Sequence, residues 1–69
     1  MRRVPVTSRN LVEIGYNEES RTLEVMFTNG RVYQYFDVPP QVHSELMNAG
    51  SIGKYLNDNI KGVYRYARV

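Results

Sequence analysis

Apolar and polar residues alternate along three segments in the first half of the chain, a pattern typical of half-buried β-strands. The segments span residues 11–16, 21–28 and 31–36. Polar residues separate the first two, and Asn29-Gly30 separates the last two. Because both of these residues tolerate positive φ, the pair favours a tight two-residue hairpin turn. The pattern predicts three antiparallel strands that follow one another along the chain.

Helical spacing replaces the alternation after the third strand. Pro40 suits the first turn of a helix, and apolar residues then recur every three or four positions as far as Gly50, which can end that helix. Ser51 can cap a second short helix that runs through Asp58. Beyond Gly62 the alternation returns. We predict an α+β fold, with a three- or four-stranded antiparallel β-meander and two short helices packed on one face.

The assumed two-residue turn also predicts which side chains share a face, since directly paired residues point the same way. It places Phe27 opposite Val32 and Met26 opposite Tyr33. The core face is then predicted to carry Val12, Ile14, Tyr16, Leu23, Val25, Phe27, Val32 and Phe36. The opposite face is predicted to carry Glu24, Met26, Thr28, Arg31, Tyr33 and Tyr35.

A chain of 69 residues can support one small core, so we expect a single domain over residues 1–69, with residues 1–9 as a flexible N-terminal arm. There is no cysteine for a disulfide or a thiolate metal site. No apolar run is long enough to cross a membrane, and we expect a cytoplasmic protein. The net charge of +2 is too small to hold nucleic acid by bulk charge. Such a partner would need a local basic patch.

Catalytic chemistry has little support in the sequence. The single histidine, His43, falls in a predicted surface helix, and no nucleophile is placed with a base. The segment Gly50-Ser51-Ile52-Gly53-Lys54 lacks the spacing of a nucleotide-binding phosphate loop, although such a helix start could hold a single phosphate. We predict a protein with no catalytic residues, no metal site and no cofactor.

The tyrosine-bearing face supports two functional interpretations and one structural one. Tyr33 and Tyr35 could stack on unpaired bases. The phosphates would then be contacted by Arg31, Lys54, Lys61 and Arg65. The same aromatic surface could instead bind a protein partner or a second copy of the chain. Alternatively, the C-terminal segment covers the tyrosines, and they serve only the fold.

The residues also resemble a known family, the KTSC domain, across most of the chain. The central motif is Tyr33-Gln34-Tyr35, which looks like the family's Tyr-x-Tyr motif, and Thr7 departs from the serine expected before Ser8. The other matching residues are Leu11, Gly15-Tyr16, Leu23, Val25, Phe27, Gly30, Val38-Pro39, Leu46, Ala49, Ser51, Gly53, Tyr55 and Asn57. This family occurs at the C-terminus of some lysyl-tRNA synthetases and as small bacterial or phage proteins. The resemblance implies a role linked to RNA.

Overall fold

The computed structural model describes residues 1–69, which form a five-stranded antiparallel sheet and two helices. The predicted α+β class is confirmed. The strands lie side by side in sequence order, and both helices fall between the fourth and fifth strands. Neither helix has the length and apolar character of a membrane span. The elements are β1 Arg3–Pro5, β2 Leu11–Asn17, β3 Thr22–Phe27, β4 Val32–Tyr35, α1 Pro40–Met47, α2 Ile52–Asn59 and β5 Tyr66–Arg68.

The first strand, β1, pairs with β2 and forms one edge of the sheet. Residues 3–5 are therefore part of the sheet. The flexible arm expected over residues 1–9 does not extend over them. With three residues, of which Pro5 lacks an N–H, the segment is too short to show an alternating pattern. Proline is tolerated here because an edge strand leaves one side of its backbone unpaired.

The turn between β3 and β4 contains three residues rather than the predicted two. The Phe27 N–H donates to the Arg31 carbonyl, and the Gly30 N–H donates to the Phe27 carbonyl. Gly30 has a φ of 86°, whereas Asn29 is not in the positive-φ region that a two-residue turn of this kind needs at both positions. The Asn29 side-chain oxygen instead accepts from the Arg31 N–H at 3.0 Å, which stabilises the longer loop.

This one extra loop residue reverses the predicted faces of β4. Tyr33 lies opposite Val25 and Tyr35 lies opposite Leu23, so both tyrosines point toward the core face and Val32 does not. The prediction that the tyrosines face away from the core is wrong. A bulge in β2 has a similar local effect, because it turns Leu11 inward and leaves the predicted core residue Val12 41% exposed.

The two helices cover one face of the sheet, which we call the helix-covered face. Pro40 opens α1, and the Ser51 hydroxyl caps α2 by accepting from the Lys54 N–H, as predicted. Apolar side chains from both helices meet those of the central strands. The buried core consists of Leu11, Ile14, Leu23, Val25, Tyr35, Val38, Leu46, Leu56 and Ile60.

The other face, which we call the open face, carries a polar network across four strands. Arg3 on β1 binds Glu13 at 2.9 Å and Glu24 at 3.1 Å, and Gln34 on β4 donates to Glu24 at 2.8 Å. Gly15 lies in register between Arg3 and Glu24. Since Gly15 has no side chain, the arginine can lie across β2 and reach β3.

Candidate functional site

Three aromatic rings meet at the end of the helix-covered face formed by β4 and β5. The ring of Phe27 meets Tyr33 edge-on, with centroids 5.5 Å apart. Tyr33 stacks on Tyr66, with centroids 5.6 Å apart and planes 20° from parallel. Tyr66 is 62% exposed because β5 is the outer strand and neither helix covers it. We call the surface formed by Phe27, Tyr33, Tyr66 and Lys61 the aromatic cleft.

Tyr35 lies beneath this cleft and belongs to the core. Its residue is only 2% exposed, and its ring contacts Tyr66 from below with centroids 6.0 Å apart. Burial raises the pKa of the Tyr35 hydroxyl above its usual value, and the neighbouring tyrosines add to this effect. A ring so enclosed cannot stack on a ligand. Of the two tyrosines in the Tyr-x-Tyr motif, Tyr35 is therefore a core residue and Tyr33 lines the cleft.

Unpaired cations border the aromatic cleft. The Lys61 ammonium lies 5.3 Å from the centroid of the Phe27 ring, and Arg31 forms a wall of the same depression with Phe27 and Tyr33. Arg68 is exposed and lies opposite Tyr33 in the sheet. None of these three cations forms a salt bridge, and no aspartate or glutamate lines the cleft. The cleft is therefore locally positive although the whole chain is nearly neutral.

The two other predicted phosphate contacts are ion-paired outside the cleft. Lys54 binds Asp58 one turn along α2, and this hydrogen bond raises the pKa of Lys54 and lowers that of Asp58. Arg65 binds Asp37 at 2.9 Å and lies over the ring of Phe36. Of the six predicted site residues, the structure brings together Arg31, Tyr33 and Lys61, with Tyr35 below them. Lys54 and Arg65 lie elsewhere.

A second depression, which we call the amide pocket, adjoins the aromatic cleft and shares Phe27 and Lys61 with it. It has a volume of about 310 Å³. Its apolar surface comes from Leu11, Phe27 and Leu56. Its polar rim comes from Asn10, Thr28, Asn29, Asn57 and Lys61. No spacing in the sequence indicates this pocket. Tyr66 belongs to the alternating basic and aromatic residues at the C-terminus, a pattern that could have pointed to its place in the cleft.

His43 and Tyr16 contact each other outside the cleft and help to hold the fold together. His43 on α1 stacks on Tyr16 with centroids 4.4 Å apart and planes 8° from parallel, and burial lowers the pKa of its imidazole. The Tyr16 hydroxyl donates to the carbonyl of Val38. No three histidine, aspartate or glutamate side chains come together as metal ligands.

The arrangement at the aromatic cleft suits non-covalent binding of a planar, anionic ligand.

Comparison with known proteins places most of the chain in one family. The family model for the KTSC domain matches residues 7–69. An uncharacterised protein of Stutzerimonas stutzeri is 41% identical over 100% of this chain and 99% of its own length. The lysine–tRNA ligase of Nostoc punctiforme is 39% identical over 83% of the chain, which corresponds to only 10% of the ligase. The crystal structure of a KTSC domain protein from Yersinia pestis superposes with a TM-score of 0.93 and 36% identity, covering 99% of this chain and 96% of that one.

Proposed function

The chain belongs to the KTSC domain family, and from this premise we propose that it is a non-enzymatic module that binds single-stranded nucleic acid, foremost RNA, in the aromatic cleft. The observation that carries the proposal is the combination of exposed aromatic rings with cations that have no acidic partner. Aromatic side chains stack on bases of any sequence, and unpaired cations bind phosphates.

The geometry supports a single strand rather than a duplex. Tyr66 and Tyr33 form a short stack whose outer ring is open to solvent, so an unpaired base could extend it. A base inside a duplex hides its faces in the helical stack and cannot do so. Lys61 and Arg31 lie on the Phe27 side of the rings. Their positive charges could bind the phosphates of a strand that stacks on the rings.

Some relatives favour RNA over DNA as the partner. Lysine–tRNA ligases contain a segment similar to this chain, and in the Nostoc punctiforme protein that segment makes up 10% of the ligase. Their name refers to an RNA substrate. A module that binds single-stranded RNA would be useful in such a protein, and a free-standing copy would use the same cleft.

The proposal can be tested by titrating the protein with a labelled single-stranded RNA of about a dozen nucleotides at several salt concentrations. Three phosphate contacts, from Arg31, Lys61 and Arg68, predict a slope of log affinity against log salt near −2, because each contact to a single strand contributes about −0.7. Lys61→Ala should make this slope less steep by about 0.7. Tyr66→Ala should weaken binding by about 1–3 kcal/mol, the typical value of one stacked base.

Arg65→Ala is the matched control, since Arg65 adjoins Tyr66 in sequence but pairs with Asp37 outside the cleft. It should leave the salt slope unchanged. Absence of binding at 50 mM salt, or equal effects of Lys61→Ala and Arg65→Ala, would contradict the proposal. A duplex of the same sequence should bind more weakly than the single strand.

A second candidate function, self-association, is favoured by the free edge of β5. The Arg65 carbonyl accepts from the Phe36 N–H, and the Val69 N–H donates to the Val32 carbonyl. The alternation of an antiparallel ladder therefore leaves the N–H and carbonyl groups of Tyr66 and Arg68 pointing outward. An unpaired edge can accept a strand from another copy. Sedimentation across a wide concentration range tests this candidate, and a monomer at every concentration would eliminate it.

A further inference from the structure

The amide pocket has the chemical features of a site for a single nucleobase. Leu11 and Leu56, each 2% exposed, form its apolar surface together with Phe27. Ligand pockets usually have volumes of roughly 300–1,000 Å³, so a pocket of about 310 Å³ has room for only a small group. An apolar floor with a polar rim matches a nucleobase, whose faces are apolar and whose edge carries donors and acceptors.

Two of the three asparagine side chains at the rim keep hydrogen-bonding groups that the fold does not use. Asn29 uses its oxygen to hold the turn through the Arg31 N–H. The side-chain amide of Asn10, in contrast, takes part in none of the structure's side-chain hydrogen bonds. The amide of Asn57 lies close enough to the Asp58 carboxylate to help lower the pKa of that group. Asn10 therefore offers its whole carboxamide beside the pocket, and Asn57 keeps its carbonyl acceptor and its second N–H. A carboxamide of this kind forms two hydrogen bonds with adenine, through N6 and N7.

The amide pocket lies next to the aromatic cleft, within reach of the same bound strand. Lys61 lines both depressions, and its ammonium lies near the Phe27 ring that they share. A strand that stacks one base on Tyr66 and passes its phosphate by Lys61 would bring a neighbouring base to the amide pocket. We propose that the amide pocket selects adenine in a single strand bound along the cleft, with Asn57 and Asn10 contacting the base edge. This inference rests on the proposed function.

The test uses heptamers of uridine in which the central position is adenine, cytosine, guanine or uracil, titrated with the full chain. The wild-type protein should bind the adenine heptamer roughly 10-fold more tightly than the weakest of the others, the scale of one bidentate base contact. Asn57→Ala should reduce this preference to less than about twofold while leaving the salt slope unchanged, since phosphate contacts carry no sequence information.

Asn59→Ala is the matched control because it removes an asparagine from the same helix, two residues away and outside the pocket. It should retain the preference for adenine. Salt-dependent binding of all four heptamers with equal affinity, or a preference for another base, would overturn the adenine pocket and leave the proposed function standing. Failure of all four heptamers to bind would overturn both. Thermal melts of both variants will show that any loss of selectivity occurs in folded protein.

Discussion

The open face and the aromatic cleft use charge in opposite ways. On the open face, Arg3 lies between two carboxylates, and Gln34 completes the network. The side chains are largely shielded from solvent, with 25% of Arg3 and 13% of Glu24 exposed. Such shielded pairs fix the position of a strand, and removing one partner leaves the other charge without compensation.

At the aromatic cleft, by contrast, Arg31 and Lys61 are exposed and have no acidic neighbour. The fold therefore gains nothing from their charges through ion pairing. Charged residues thus fall into two groups in this protein. Those paired with an opposite charge help to hold the fold, whereas unpaired ones remain available to a ligand. The predictions below test that distinction by comparing matched residues from the two kinds of environment.

The largest effect is expected from Tyr35→Ala, which truncates a core ring next to the cleft. Removal of a buried aromatic side chain typically costs ~3–5 kcal/mol, a large fraction of the stability of a small domain. Tyr66→Ala, which removes a ring that is 62% exposed, should cost less than about 1 kcal/mol. Urea unfolding of both variants measures the difference. Equal losses would mean that the cleft is part of the core.

The next effect concerns Gly15, which lets Arg3 cross β2 on the open face. A Cβ atom at this position would lie 2.8 Å from the Arg2 carbonyl oxygen and 2.9 Å from the Arg3 Cγ. Gly15→Ala should therefore destabilise the protein by about 1–3 kcal/mol, the usual cost of overpacking. Gly50→Ala is the control, because nothing lies within 4 Å of the corresponding Cβ. A Gly15 variant as stable as the Gly50 variant would refute this account of β1 docking.

A smaller effect distinguishes a paired arginine from an unpaired one. Arg3→Gln should lower the free energy of unfolding by about 1–2 kcal/mol, between the values for exposed and buried ion pairs. Arg31→Gln, the same substitution at the cleft, should stay within about 0.5 kcal/mol of the wild type. Chemical denaturation at low salt compares them. If Arg31→Gln were the more destabilising change, the charge at the cleft would be serving the fold.

The alternation of residues was sufficient to predict β2, β3 and β4, and Ser51 and Pro40 correctly indicated the helix starts. The faces of β4 could not be predicted, because Asn29-Gly30 is compatible with both two- and three-residue loops. A shift of one residue moves every side chain of a strand to the other face. The backbone conformation of Asn29 decides between the two loops, and the residue types at positions 29 and 30 are compatible with both conformations.

The candidate site, like the fold, could be predicted from the sequence only in part. Arg31, Tyr33 and Lys61 could be predicted from their chemical character, but the face assigned to Tyr33 was wrong. The amide pocket could not be predicted, because Asn10, Asn29 and Asn57 come from three distant parts of the chain. No spacing in the sequence relates them. Their proximity depends on how α2 packs across the hairpin of β3 and β4, which is a property of the whole fold.

The smallest predicted effect concerns His43, a titratable ring on the helix-covered face and outside the cleft. Burial against Tyr16 lowers its pKa below the ordinary value of 6.5, whereas the unfolded chain keeps that ordinary value. As the pH falls through 6.5, the unfolded state therefore binds a proton before the folded state does, and stability decreases until folded His43 is protonated as well. Urea unfolding between about pH 7.5 and 5.5, above the range in which carboxylates titrate, should show this decrease in the wild type. His43→Phe, which retains a flat ring but cannot titrate, should show a much flatter profile. Identical profiles would mean that His43 titrates as it does in the unfolded chain.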